Sequence, residues 1–315
     1  MRRAAAAAAS LSLLAACPAA TAQILTGGPE VSPEVQAAFA KVRAGDRSEI
    51  LRLAAAGRLD AQAYAGVLLA FGGGRTPADT ELGCSYLEAA SAERSDAMHF
   101  LGEAYQNGVC GGQKDLDRAI GAFHKAGDMG LAKSRCAEGN LLIAMHRDVA
   151  HAIELCREGA EKGDADAQTD LGNIYLVGEI APKDAVAAAG WYERAVAQRH
   201  RNAAFTLGQM YWNGDGVARD HAAAARLWRL AYEQGRLDAA VLLGNEAFER
   251  TLPDYAAGEA RPGKARVAWE PLLEAIDWYE KALAVLDPAG RIEINKRLEV
   301  LRDFKAQVEA RRPPA

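Results

Sequence analysis

The sequence predicts an all-α fold of about six helix-turn-helix repeats, with capping helices at both ends. Two observations carry this. A glycine returns at Gly66, Gly102, Gly139, Gly172, Gly208 and Gly244, in steps of 36, 37, 33, 36 and 36 residues, and self-similarity at such a period is the signature of a repeat array. The residues around it keep register. A small residue stands five positions earlier (Ala61, Ala97, Ser134, Ala167, Ala203, Ala239), and Tyr105, Tyr175 and Tyr211 stand three later. A second glycine follows at Gly72, Gly108, Gly178 and Gly214.

The stretch 164–199 shows the unit most clearly. Ala167, Leu171, Ile174 and Tyr175 recur at helical spacing, Gly178 makes a turn, and a second helical run carries Ala185, Ala188, Trp191, Tyr192 and Ala195. Six residues before the anchor glycines stand Asp60, Asp96, Lys133, Asp166, Asn202 and Asp238, mostly residues expected to cap the first helix, helix A. A glycine within a helix costs about 0.5–1 kcal/mol relative to alanine. Its return is therefore expected to serve close approach of the second helix, helix B. The later glycine is expected to end helix A in a left-handed conformation. Tyr105, Tyr175, Tyr211, Tyr192, Trp191, Trp228 and Trp278 are expected in the core between helices.

Residues 1–22 read as an export segment: Arg2 and Arg3, an apolar run over 4–16, then small residues. Ala20-Thr21-Ala22 offers a cleavage site, favoured by Pro18 before it; Leu14-Ala15-Ala16-Cys17 offers a lipobox that would leave a lipidated Cys17. Both place the chain outside the cytoplasm, periplasmic or secreted, and no later run is long enough to span a bilayer. Residues 23–58 hold a short leader and two capping helices, 33–43 and 48–56. The repeats occupy 59–250, and 251–315 hold an enlarged connection (251–263), the last helix B around Trp278-Tyr279 and a final helix over 291–310. Ile294, Leu298, Leu301 and Val308 form one stripe of that helix with Phe304 beside it. This suits a cap over the last repeat, with a partner-binding helix as the alternative.

Removal of residues 1–22 deletes two arginines and no acids, taking the net charge from −5 to −7. An acidic chain without a basic run is a poor candidate for nucleic acid. Four cysteines remain, an even number that suggests two bridges among three possible pairings. The repeat register selects Cys136–Cys156, across the two helices of the third repeat, and Cys84–Cys110, at one end of the first and second. The first would close a loop of about 20 residues and contribute on the order of 3 kcal/mol. It falls in the repeat with the shortest spacing and no glycine turn.

No catalytic motif is present: no H-E-x-x-H, no G-x-S-x-G and no phosphate loop, since Gly72-Gly73-Gly74 lacks a following lysine. Cys136, His146, His151 and Cys156 have the residue types of a zinc site but match no zinc spacing. A disulfide accounts for both cysteines, so neither metal nor cofactor is expected.

The pattern A-x-x-x-L-G-x-x-Y-x-x-G, then G-V-x-x-D, then A-x-x-W-Y-x-x-A, resembles the Sel1-like repeats (SLR), relatives of the tetratricopeptide repeats. Leu171-Gly172-Asn173-Ile174-Tyr175 with Trp191-Tyr192-Glu193-Arg194-Ala195, and Asn213-Gly214-Asp215-Gly216-Val217 with Asp220, carry the resemblance over about 59–250. It implies a right-handed α/α superhelical solenoid used for protein–protein interaction, with helix A on the concave side. One residue after each anchor stand Val67, Glu103, Asn140, Asn173, Gln209 and Asn245. This row could form a polar ladder suited to a peptide backbone or glycan; simple solvated helix positions are the plainer reading. Trp212 is a candidate sugar platform. The resemblance implies a non-catalytic periplasmic adaptor with protein partners in the cell envelope, in a signalling or exopolysaccharide secretion complex. Binding of peptidoglycan or another polysaccharide is the alternative.

Overall fold

The structure, a computed structural model, describes residues 31–72, 76–251 and 269–310. The expected export segment with Cys17, Gly73-Gly74, and 252–263 of the long connection lie outside these residues, as does the side chain of Val308. Fifteen helices and no strand occur among the described residues.

Helices α1 (Pro33–Arg43) and α2 (Ser48–Ala55) precede six helix pairs. These are α3 (Leu59–Phe71) with α4 (Pro77–Ser91), α5 (Ser95–Asn107) with α6 (Leu116–Asp128), and α7 (Ala132–Ala144) with α8 (Val149–Glu161). Then come α9 (Ala165–Val177) with α10 (Ala185–Ala197), α11 (Arg201–Asn213) with α12 (His221–Glu233), and α13 (Ala239–Thr251) with α14 (Trp269–Leu283). Helix α15 (Pro288–Ala310) follows. The chain forms two compact units, one ending at Leu171 and one beginning at Gly172.

Local chemistry explains where the helices start. Every helix B from α4 to α12 is capped by a side chain that accepts from a first-turn amide: Thr76, Asp115, Asp148, Asp184 and Asp220. Each satisfies a donor that the helix itself leaves orphaned. Four of the expected caps of helix A are corrected, Asp166 and Asn202 lying inside α9 and α11. Asp60 and Asp96 lie inside the first turn, two residues past Arg58 and Arg94, which occupy the cap positions. There each carboxylate accepts the amide of the next residue, Ala61 or Ala97. The positive end of the helix dipole favours a carboxylate there too. Asp96 also forms a buried ion pair with Arg94 at 2.6 Å.

The turn glycines divide. Gly108, Gly178 and Gly214 take positive φ, whereas Gly72 is extended at φ −62. The third repeat has no glycine here, and His146 and Asp148 take φ 53 and 37 instead.

The anchor glycines account for the packing. A Cβ placed on Gly66 would lie 2.8 Å from Leu87, on Gly102 2.8 Å from Phe123, and on Gly172 2.8 Å from Tyr192. On Gly208 it would lie 2.5 Å from Trp228, and on Gly244 2.5 Å from Tyr279. Each is a notch in helix A filled by one large side chain of helix B. At Gly139 the neighbours are the Ala152 carbonyl oxygen and Cys156 Sγ. Tyr192, Trp228 and Tyr279 are almost wholly buried, each contributing about 1.5–3 kcal/mol. Trp191 and Trp278, expected in the same core, are only half-buried, with Arg194 and Lys281 over their rings at 4.4 and 4.3 Å. One residue along a helix turns a side chain by about 100°, away from the notch.

Helix α15 buries Ile294, Leu298 and Leu301 against Ala247, Leu272, Ala275 and Tyr279. The stripe is therefore consumed as a cap over the last repeat.

Substituting Gly172→Ala should destabilise the protein by about 1–3 kcal/mol, because the methyl group overpacks the Tyr192 ring. Gly190→Ala, on α10 with no atom within 4 Å of the added Cβ, should be neutral or stabilising by up to about 1 kcal/mol. Denaturant titration of the two variants checks the pair.

Candidate functional site

The residues after the anchor glycines have different surroundings, and Val67 is half-buried against the core. In the first unit Glu103 is 39% exposed and Asn140 is exposed. Asn140 Nδ2 donates to Asp170 Oδ2 at 2.7 Å, tying α7 to the start of α9. In the second unit Asn173 and Gln209 are exposed and Asn245 is half-buried. Asn202, Thr206, Gln209 and Asn213 follow helical spacing, so this side of α11 carries amides and a hydroxyl with no charge.

Two of the row residues answer a requirement of the core. Burying a tyrosine leaves its hydroxyl in need of a partner. Tyr192 donates to Asn173 Oδ1 at 2.7 Å, and Tyr279 donates to Asn245 Oδ1 at 2.9 Å. Where helix B offers Phe123 or Trp228, the row carries Glu103 or Gln209, and the Trp228 indole N–H goes to the Phe205 carbonyl. Asn245 Oδ1 also accepts from Arg297 Nη1 of α15 at 2.6 Å. Since arginine only donates, the amide oxygen faces inward and the NH2 points away. Among the described residues, the amide nitrogens of Asn173 and Asn245 carry no hydrogen bond. The rows thus mix structural acceptors with outward donors, which the spacing could not reveal.

Trp212 is less open than a stacking platform requires. The His221 ring lies over it at 3.9 Å, nearly parallel, and Trp228 lies on it at 5.4 Å. The cysteines pair as the register predicted: Cys84 with Cys110, Cα atoms 5.8 Å apart, and Cys136 with Cys156, 3.9 Å apart. His146 and His151 are exposed, and no group of three or more metal-ligating residues is assembled among the described residues. No helix among them is long and apolar enough to cross a membrane.

One polar cluster has no motif to announce it in the sequence. His99 of α5 places Nδ1 2.9 Å from Ser134 Oγ of α7 and Nε2 3.2 Å from Glu103 Oε1. The neutral tautomer that satisfies both contacts donates from Nε2 to the carboxylate and accepts the serine hydroxyl at Nδ1. A serine, a histidine and a carboxylate in a row have the residue types of a nucleophilic triad. Ser134 is fully buried, however, so a substrate cannot reach its hydroxyl, and the cluster is a strut between two repeats. Burial pushes the His99 imidazole below its ordinary value, and Lys133 adds to this. Its only advance signal was a histidine at a helix A position held by Cys136, Thr169 and Phe205 in later repeats.

The Sel1 repeat family matches residues 59–94, 95–131, 165–200, 201–235 and 272–284. The segment 132–164, the third repeat, lies between matched segments. A Sel1 repeat protein from Oxalobacter formigenes is similar in fold, with a TM-score of 0.59 and 23% identity over 80% of this chain and 100% of that one. An immunity protein from Pseudomonas aeruginosa aligns with a TM-score of 0.48 and 21% identity, over 82% of this chain and 84% of that one. No curated protein matches the chain.

A histidine held neutral in the fold but free to protonate when unfolded makes stability rise with pH between its depressed folded value and its ordinary value. Stability should be full above the ordinary imidazole range and decline as pH falls below it. His99→Gln should flatten that part of the profile, as read by denaturation midpoints across pH.

Proposed function

The chain belongs to the Sel1 repeat family, and from that premise we propose that it is an exported, non-catalytic adaptor that holds protein partners on the open sides of its A helices. Sel1 repeat proteins generally mediate protein–protein interaction and are generally non-catalytic. The observation that carries the finer reading is the set of oriented polar groups on these faces. Asn173 and Asn245 are turned by buried tyrosines so that their NH2 groups point outward, and Gln209 is exposed beside Thr206. Fixed outward donors suit the carbonyls of an extended segment, since little side-chain freedom is lost on binding.

Location outside the cytoplasm is supported by the sequence of residues 1–22 and by two cysteine pairs at bonding distance. A partner within an envelope signalling or exopolysaccharide secretion complex fits that compartment. A peptidoglycan fragment has less support, because the His221 ring covers a face of Trp212.

A photo-crosslinking residue at Gln209, and separately at Asn140, should yield discrete protein adducts in the native envelope. The same residue at Arg226, exposed on helix B, should not. Equal labelling at all three positions would remove the open-face reading, and adducts with glycan alone would replace the adaptor with a wall-binding module.

A further inference from the structure

The third repeat departs from its neighbours at several points that coincide. Its notch at Gly139 faces Cys156 where the other five repeats place Leu87, Phe123, Tyr192, Trp228 or Tyr279. Its connection replaces the turn glycine with His146 and Asp148, both with positive φ, a conformation that side chains other than glycine rarely adopt. Its helices meet at the notch through small groups, Ala152 and Cys156 against Gly139, with Leu142 and Leu155 buried beside them. It is also the repeat that falls between matched family segments. What it has instead is the bond between Cys136 and Cys156, both almost wholly buried.

We propose that this bond is a redox latch: the third repeat closes stably only once the two thiols are oxidised, so the open side of the first unit is completed in an oxidising compartment. Closure forms one S–S bond from two thiols. Two electrons and two protons pass to a disulfide oxidant, which leaves as two thiols; a dithiol reverses the step. The latch lies directly beneath the groups it would control. Asn140 Oδ1 is 3.9 Å from Cys136 Sγ and 3.8 Å from Cys156 Sγ, and Asp170 Oδ2 is 3.8 Å from Cys136 Sγ. If α7 and α8 part, the Asn140–Asp170 hydrogen bond loses its footing. No large side chain bridges the two helices at this notch, and a covalent link restricts the open state of such a pair most directly.

The repeat also retains the means of its own repair. Asn140 occupies the position of Asn173 and Asn245, the acceptors for buried tyrosines, with no tyrosine above it. Replacing Cys156 by tyrosine would restore the glycine, tyrosine and asparagine set of the fourth repeat.

The test is amide hydrogen exchange on the full chain carrying C84S/C110S, so that only the third-repeat bond remains, oxidised and then with excess dithiothreitol. Reduction should speed exchange in α7 and α8 by about tenfold or more and leave α11 and α12 unchanged. In C136A/C156Y, exchange of α7 and α8 should be slow with or without reductant. Equal exchange of α7 and α8 in both redox states of the C84S/C110S chain would overturn the latch, even if C136A/C156Y fails to fold. The readout is the chain's own exchange, so it is independent of any partner.

Discussion

Each repeat depends on one contact: a large helix B side chain seated in a notch that a glycine opens in helix A. With a Cβ at 2.5–2.8 Å from the facing side chain at five of the six notches, the two helices could not keep their separation. A close-packed interior cannot absorb that volume by compression. The glycine loses helix propensity, and the contact it permits returns more through burial of an aromatic ring or leucine. Because repeats stack on their neighbours, the notch also fixes where the next helix A can lie. The regular spacing of glycines is the sequence record of that geometry.

The same contact shapes the surface where partners are proposed to bind. A tyrosine in the notch brings a hydroxyl that must be paired, and the nearest position on helix A is the one following the glycine. Asparagine there satisfies the hydroxyl with its oxygen and turns its NH2 outward. Core satisfaction and surface presentation are thus coupled through one side chain at Asn173 and again at Asn245. Where the notch holds a residue without a hydroxyl, the row position is released, and Glu103 and Gln209 occupy it. In the last repeat the chain uses the same oxygen itself, through Arg297 of the terminal helix.

In the third repeat the contact is missing. A cysteine stands there in place of a large side chain, and the helices come close enough at Gly139 for the Ala152 carbonyl oxygen to face the notch directly. The disulfide joins the two helices at that point. The first unit also holds two buried polar groups, the Arg94–Asp96 ion pair at the start of α5 and the His99 cluster between α5 and α7. A buried ion pair is weak evidence for added stability, but removal of one partner is costly; the His99 cluster is the one of the two that joins successive repeats.

The sequence by itself determined the helical repeat, its period, the capping helices and the pairing of four cysteines. These rest on local rules, namely helical periodicity, turn chemistry and a register that repetition reads out several times. The Gly172 notch was legible because it recurs. The tertiary structure alone decided what the row residues do, because a side chain's partner across a helix pair depends on distances that periodicity does not contain. It showed that Asn173 serves Tyr192, that His221 covers Trp212, and that His99 reaches Ser134 in the next repeat. It also moved Asp60 and Asp96 from cap to first turn, where a two-residue shift changes which amide a carboxylate can reach. Spacing along the chain states which face a residue shares; only packing states whether that face is occupied.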